Sequence, residues 1–217
     1  MPLSPPHIAA AIKHLRRVDP VMGDLIGKAG PFTLKPERDR FGMLVRSILS
    51  QQISTKAAKA IRLRLVQLLL PDKISPGAIA GVTDAELRTA GLSAQKVSYL
   101  RDLTERVLDD RLRLEKIGRL SDEAAIEHLV QVRGIGRWTA QMFLIFSLGR
   151  LDVFPHDDLG VRSSIRDLYG LDELPDKQTS HAIAEPWAPY RSVAAWYCWR
   201  LIDVRKAEAM DSSGYPV

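Results

Sequence analysis

Apolar residues along this chain recur three and four positions apart, and clear two-residue alternation is almost absent. In RFGMLVRSILSQQ, Phe41, Leu44, Val45, Ile48 and Leu49 form one helical stripe, the spacing of a helix with one buried face. Ser54 reads as the cap of a second helix, TKAAKAIRLRLVQLLL, closed by Pro71. Thr83 caps a short segment ending at Gly91, and Ser93 caps AQKVSYLRDLTERVLDD. Ser121 opens DEAAIEHLVQV, whose first acidic residues suit the positive end of the helix dipole. Trp138, Met142 and Ile145 keep a helical spacing to about Leu148, and a last helix runs RSVAAWYCWRLIDV. The pattern predicts an all-α protein of about eight to ten short helices.

Two interruptions stand out. In VRGIGRWTAQM, two glycines flank Ile135 and a new helix starts at once. A helix start leaves backbone N–H groups without intrahelical partners, and with the dipole and glycines lacking Cβ this suits a phosphate oxygen. Arg133 and Arg137 add charge at the rim; the same glycines also suit plain close packing of two helices. In GRLDVFPHD, Pro155 forces Phe154 out of the helical region, and Asp157 or Asp158 then caps LGVRSSIRDLY. Two adjacent carboxylates at one helix start leave one for other work.

Composition narrows the classes. With 217 residues, 46% of them hydrophobic, the chain can bury a core as one large domain or two small lobes. No apolar run approaches the roughly 20 residues of a membrane span, and the start MPLSPPHIAA has no signal-peptide pattern, so no membrane partner is expected. A lone cysteine, Cys198, excludes an internal disulfide and a four-cysteine cluster. The formal charge of +5 is compatible with a polyanionic partner.

LVQVRGIGRWTAQMFLIFSL followed by DVFPHDDLGVR resembles the helix-hairpin-helix and Gly-Pro-Asp region of the DNA glycosylase superfamily. GIGRWTA, SILSQQIS and WAPYRSVAAWYCWR are similar to the DNA-3-methyladenine glycosylase II family. The resemblance implies a single helix-hairpin-helix glycosylase domain over residues 1–217. Its two helical lobes would comprise approximately residues 40–115, and 1–39 with 116–217, with the active-site cleft between them. It implies a monofunctional enzyme that hydrolyses the N-glycosidic bond of alkylated purines, of 3-methyladenine or 7-methylguanine type, in double-stranded DNA during base excision repair. Hypoxanthine or uracil as the lesion, or a non-catalytic DNA-binding module, are the alternatives.

The resemblance assigns catalysis to Asp158, 20 residues after Trp138, with Asp157 in support. A carboxylate beside the deoxyribose stabilises the positive charge that develops as the bond breaks. Trp138 and Trp196 would wall the base pocket, with Met142 where a better-known relative has an aromatic; an aromatic face suits a cationic alkylpurine. Taken without the resemblance, Trp196 and Trp199 are helical neighbours that read equally as core. His156 is the nearest acid, or a loop histidine facing solvent. Bifunctional relatives carry a lysine where this chain has Trp138, and no lysine lies between Lys116 and Lys177, so lyase chemistry is not expected. The plug that fills the hole left by a flipped base falls at Gln52, with Gln51 beside it; both also suit helix-end capping. No cofactor is required. A structural Na+ or K+ would rest on the carbonyls of Val130, Val132 and Ile135. A monomer is expected, cytoplasmic in a bacterium or nuclear in a eukaryote.

Overall fold

The computed structural model describes residues 3–212, with side chains through 205. The described residues form twelve α-helices: α1 (Pro5–Val18), α2 (Pro20–Ala29), α3 (Arg40–Ser50), α4 (Thr55–Leu68), α5 (Pro76–Ala80), α6 (Asp84–Thr89), α7 (Ala94–Leu108), α8 (Asp122–Leu129), α9 (Arg137–Phe146), α10 (Leu159–Tyr169), α11 (Lys177–Ala184) and α12 (Arg191–Ser212). Short 3-10 turns occupy Ile117–Arg119 and Glu185–Trp187. The chain is all-α, as its periodicity implies, and no described helix is long and apolar enough to cross a membrane.

The caps read from sequence are in place. Ser54, Thr83, Ser93 and Ser121 each accept a backbone N–H from the first turn of the helix that follows. Thr83 and Glu86 complete a reciprocal capping box. The helix number exceeds the expected eight to ten because α1, α2, α5 and α11 were not anticipated. Three of these open with a proline in the first turn, where its missing N–H costs nothing.

The chain divides into two compact units. One spans residues 37–148 and holds α3 to α9. Its ends are tied together: Glu37 N–H donates to Phe146 O at 2.7 Å and Ser147 Oγ donates to Glu37 O at 2.9 Å. Leu44, Ile48, Leu65, Leu100, Phe143 and Leu144 fill its interior. Each such side chain contributes about 1.5–3 kcal/mol through burial. The expected division after residue 115 is therefore corrected to 148. The reason is the apolar face of α9, which packs on α3 and carries the hairpin into this unit.

The other unit joins residues 1–36 to 149–217. Leu3 N–H bonds Gly149 O at 3.1 Å where the two segments meet. α12 packs against α1, α2 and α10 around Leu15, Met22, Ile165, Trp187 and Tyr197. Buried Asp19 lies within this core. It caps α2 by accepting Met22 N–H at 3.0 Å and also accepts Trp187 Nε1–H at 2.7 Å and the Tyr169 hydroxyl. Burial and the neighbouring Asp19 carboxylate together push the Tyr169 hydroxyl far above its ordinary pKa. Cys198 is fully buried, and burial raises its thiol in the same way.

Candidate functional site

In the unit of residues 37–148, α8 and α9 flank the GIG turn. Gly134 has φ +79°, and an added Cβ there would fall 2.1 Å from the Tyr99 ring, so both conformation and contact demand glycine. Gly136 differs: a Cβ on it would meet nothing within 4 Å, which leaves its side of the turn open to an approaching group. Ile135 is buried beneath and anchors the turn. The rim arginines already have acidic partners. Arg137 forms a forked ion pair with Glu123. Arg133 donates its backbone N–H to Asp102 at 2.9 Å, its guanidinium lying 3.9 Å from the same carboxylate. The Val132 carbonyl accepts Ile135 N–H at 3.0 Å, leaving a second lone pair for the cation the resemblance implies.

A cavity of about 510 Å³ opens beside the turn, lined by Gln51, Gln52, Tyr99, Gly134, Trp138 and Met142, with small polar residues between them. Five residues singled out from sequence thus meet in one place. Trp138, one of the lining residues, is 44% exposed. Gln52 is exposed and has φ +57°, uncommon for a residue with a Cβ. Ile53, an exposed apolar side chain on the same turn, went unnoticed in the sequence.

In the other unit, Asp158 caps α10, accepting Val161 N–H on Oδ1 at 2.8 Å. The same oxygen accepts Trp199 Nε1–H at 2.8 Å, and Asp158 is only 8% exposed. One carboxylate therefore both caps α10 and holds the Trp199 indole. A Cβ on Gly160 would stand 3.1 Å from both Asp158 Oδ1 and Trp199 Cδ1, so glycine here lets the indole approach. Asp157 points outward and lies 3.3 Å from His156 Nε2. His156 is buried rather than facing solvent, its ring 5.0 Å from that of His181. Burial lowers the His181 pKa; Lys177 and Arg191 push the same way, and Asp157 opposes them.

The tryptophan brought to Asp158 is Trp199, not Trp196. Trp196 packs into the core against Phe32 at 4.6 Å and Tyr197 at 4.9 Å, with the Arg200 guanidinium 5.8 Å from its ring. The wall role expected for Trp196 does not fit that burial. The two tryptophans are three positions apart on α12, which turns them about 60° apart on the helix. Spacing alone did not show which of them faces α10.

Residues 45–189 match the family described as HhH-GPD superfamily base excision DNA repair protein. This chain belongs to the HhH-GPD superfamily. It is 37% identical over 178 residues to DNA-3-methyladenine glycosylase 1 of Schizosaccharomyces pombe, covering 81% of this chain and 78% of that one. Alkylbase DNA glycosidase-like protein mag2 of the same yeast is 32% identical over 88% of this chain and 92% of its own. Among solved structures, a DNA-3-methyladenine glycosidase from Bacillus halodurans gives a TM-score of 0.80 at 36% identity, covering 98% of this chain and 93% of that chain. The S. pombe 3-methyladenine DNA glycosylase Mag1 in complex with abasic DNA gives 0.79 at 35% identity, covering 88% and 95%. In this HhH-GPD chain α8, the GIG turn and α9 form a helix–turn–helix hairpin, and Asp158 caps α10.

Proposed function

We propose that this HhH-GPD protein is a monofunctional DNA glycosylase that releases alkylated purines from duplex DNA. The observation that carries the reading is the Asp158 carboxylate, buried at a helix start and oriented by Val161 N–H and Trp199 Nε1–H on one oxygen. The names of the relatives, 3-methyladenine glycosylases among them, support the substrate class.

A 3- or 7-alkylated purine in DNA is a cation. When its bond to C1′ breaks, the base takes the electron pair and departs neutral, and the sugar is left positively charged. Asp158 stabilises that charge through its fixed carboxylate, a stabilisation strengthened by exclusion of water. Water then adds to C1′ and gives up a proton, leaving an abasic sugar. Because the leaving base is already cationic, a strong general acid is dispensable. Trp138 supplies an exposed ring face for the flipped base, and Trp199, rather than Trp196, holds the Asp158 carboxylate. The hairpin amides bind a DNA phosphate, the carbonyls of Val130, Val132 and Ile135 being the groups that would hold a Na+ or K+ to supply further positive charge there, and the protein acts as a monomer.

Trp138 stands where a Schiff-base lysine would be needed, which favours hydrolysis over strand cleavage. Borohydride reduction during turnover is expected to trap no covalent adduct; efficient trapping would refute this part. A panel of duplexes, each with one 3-methyladenine, 7-methylguanine, hypoxanthine or uracil, tests the rest. Free base is expected from the alkylpurine duplexes. Release confined to hypoxanthine or uracil would reassign the lesion, and release from none would reduce the protein to a DNA-binding module.

A further inference from the structure

Gln51 and Gln52 are the same residue type side by side, yet the structure treats them oppositely. Gln52 is exposed in a left-handed conformation. Gln51 is half-buried and turned inward, and its Nε2–H donates to the carbonyl of Gly134 at 2.7 Å. Its backbone N–H closes the end of α3 on Ile48 O at 3.4 Å. The bond from Gln51 spans 83 residues of sequence and ties the SQQIS turn to the GIG turn.

α7 braces both turns from behind. Buried Lys96 donates Nζ–H to Leu49 O at 2.6 Å, closing the carbonyl end of α3 with a positive charge. Three residues on, the Tyr99 ring fills the space beneath Gly134, and its hydroxyl accepts from Gln95 Nε2 at 2.6 Å. The base of one turn and the floor of the other are thus fixed by one helix, and Gln51 is the direct strut between them.

We infer that Gln51 is a positioning residue that holds Gln52 in register with the hairpin, so that gripping a DNA phosphate and inserting the plug become a single event. The inference rests on the glycosylase reading for the roles of hairpin and plug. Gln51 itself acts through its bond to Gly134 and not by touching DNA. Without that donor the hairpin still grips the duplex, while Gln52 loses the restraint that keeps it in its left-handed conformation.

The test uses the full chain with Gln51→Met, which is neutral and similar in length but has no donor, alongside Gln51→Glu, Gln52→Ala and the Gln51→Met/Gln52→Ala double variant. Affinity for undamaged duplex is read by fluorescence anisotropy, insertion by 2-aminopurine fluorescence beside the lesion, and excision by single-turnover release of an alkylpurine. Gln51→Met should keep its duplex affinity within about twofold, while insertion and excision each fall roughly tenfold. The double variant should be no worse than Gln52→Ala alone, because one residue works through the other. Gln51→Glu should fail in insertion as Gln51→Met does, since it sets a carboxylate oxygen against the Gly134 carbonyl. Insertion at the wild-type level in Gln51→Met, or losses that multiply in the double variant, would overturn the inference. If the wild type inserts but excises nothing, the glycosylase reading fails while the strut is still judged by the insertion signal.

Discussion

Asp19 and Asp158 are two buried aspartates in the same unit, each capping a helix and each receiving an indole N–H. At Asp19 the donors are divided: Met22 N–H meets Oδ1, while Trp187 and Tyr169 meet Oδ2. At Asp158 Val161 N–H and Trp199 Nε1–H converge on Oδ1. The first arrangement binds three distant segments into a core. In the second, a backbone N–H and an indole N–H meet on one oxygen and fix the orientation of the carboxylate. Similar chemistry therefore serves cohesion in one place and, in our reading, catalysis in the other.

The largest expected effect separates the pair directly. Asp158→Asn should lower single-turnover base release by about a hundredfold or more, because an amide carries no charge to stabilise the sugar cation. Its melting temperature should stay close to wild type, asparagine being as good a helix cap. Asp19→Asn should do the reverse. Placing an amide against three donors costs about 1–3 kcal/mol, a loss on the order of 5 °C in Tm by calorimetry, with the rate per folded molecule retained. Equal rate losses in the two variants would collapse the distinction.

The tryptophans sharpen it further. Trp199→Phe should slow excision roughly tenfold with a small change in Tm, whereas Trp187→Phe should lower Tm and leave the rate unchanged. A smaller effect is expected from Gly160→Ala, whose methyl crowds Asp158 Oδ1 and Trp199. A rate loss of about threefold should disappear in a Trp199→Phe background if the methyl acts only through that bond.

Smallest is a pH effect from His181. Burial holds His181 below the ordinary histidine pKa, so the unfolded chain binds more protons as pH falls through about 6.5. Stability should rise with pH between about 5 and 7 and be lost on the acid side, and His181→Gln should flatten this dependence in urea midpoints. A slope unchanged by that substitution would place the titration elsewhere.

Legibility in the sequence followed the range of the interactions. Ser54, Thr83, Ser93 and Ser121 announced their helices because a cap and its partner lie three residues apart. The hairpin glycines and the Asp157–Asp158 pair were equally local. Asp19 was invisible: it is one aspartate before a proline, and its partners Tyr169 and Trp187 lie 150 and 168 residues away. Trp199 shared a motif with Trp196, and only packing against Phe32 and Tyr197 decided which entered the core. Gln51 and Gln52 were separated by a hydrogen bond to a backbone carbonyl, a partner that no residue type encodes.

The arginines of the hairpin have a consequence for how the protein would respond to salt. Arg137 is committed to Glu123, and Arg133 shares Asp102 with Arg106. A phosphate met by backbone amides, beside arginines that already face carboxylates, would displace fewer condensed cations from the duplex than one met by unpaired arginines. Each phosphate neutralised by a free charge steepens the decline of log affinity with log salt by about 0.9, and these side chains contribute little of that. The grip of the hairpin would be set by geometry more than by the ionic atmosphere, and would weaken less on raising salt than the formal charge of +5 suggests.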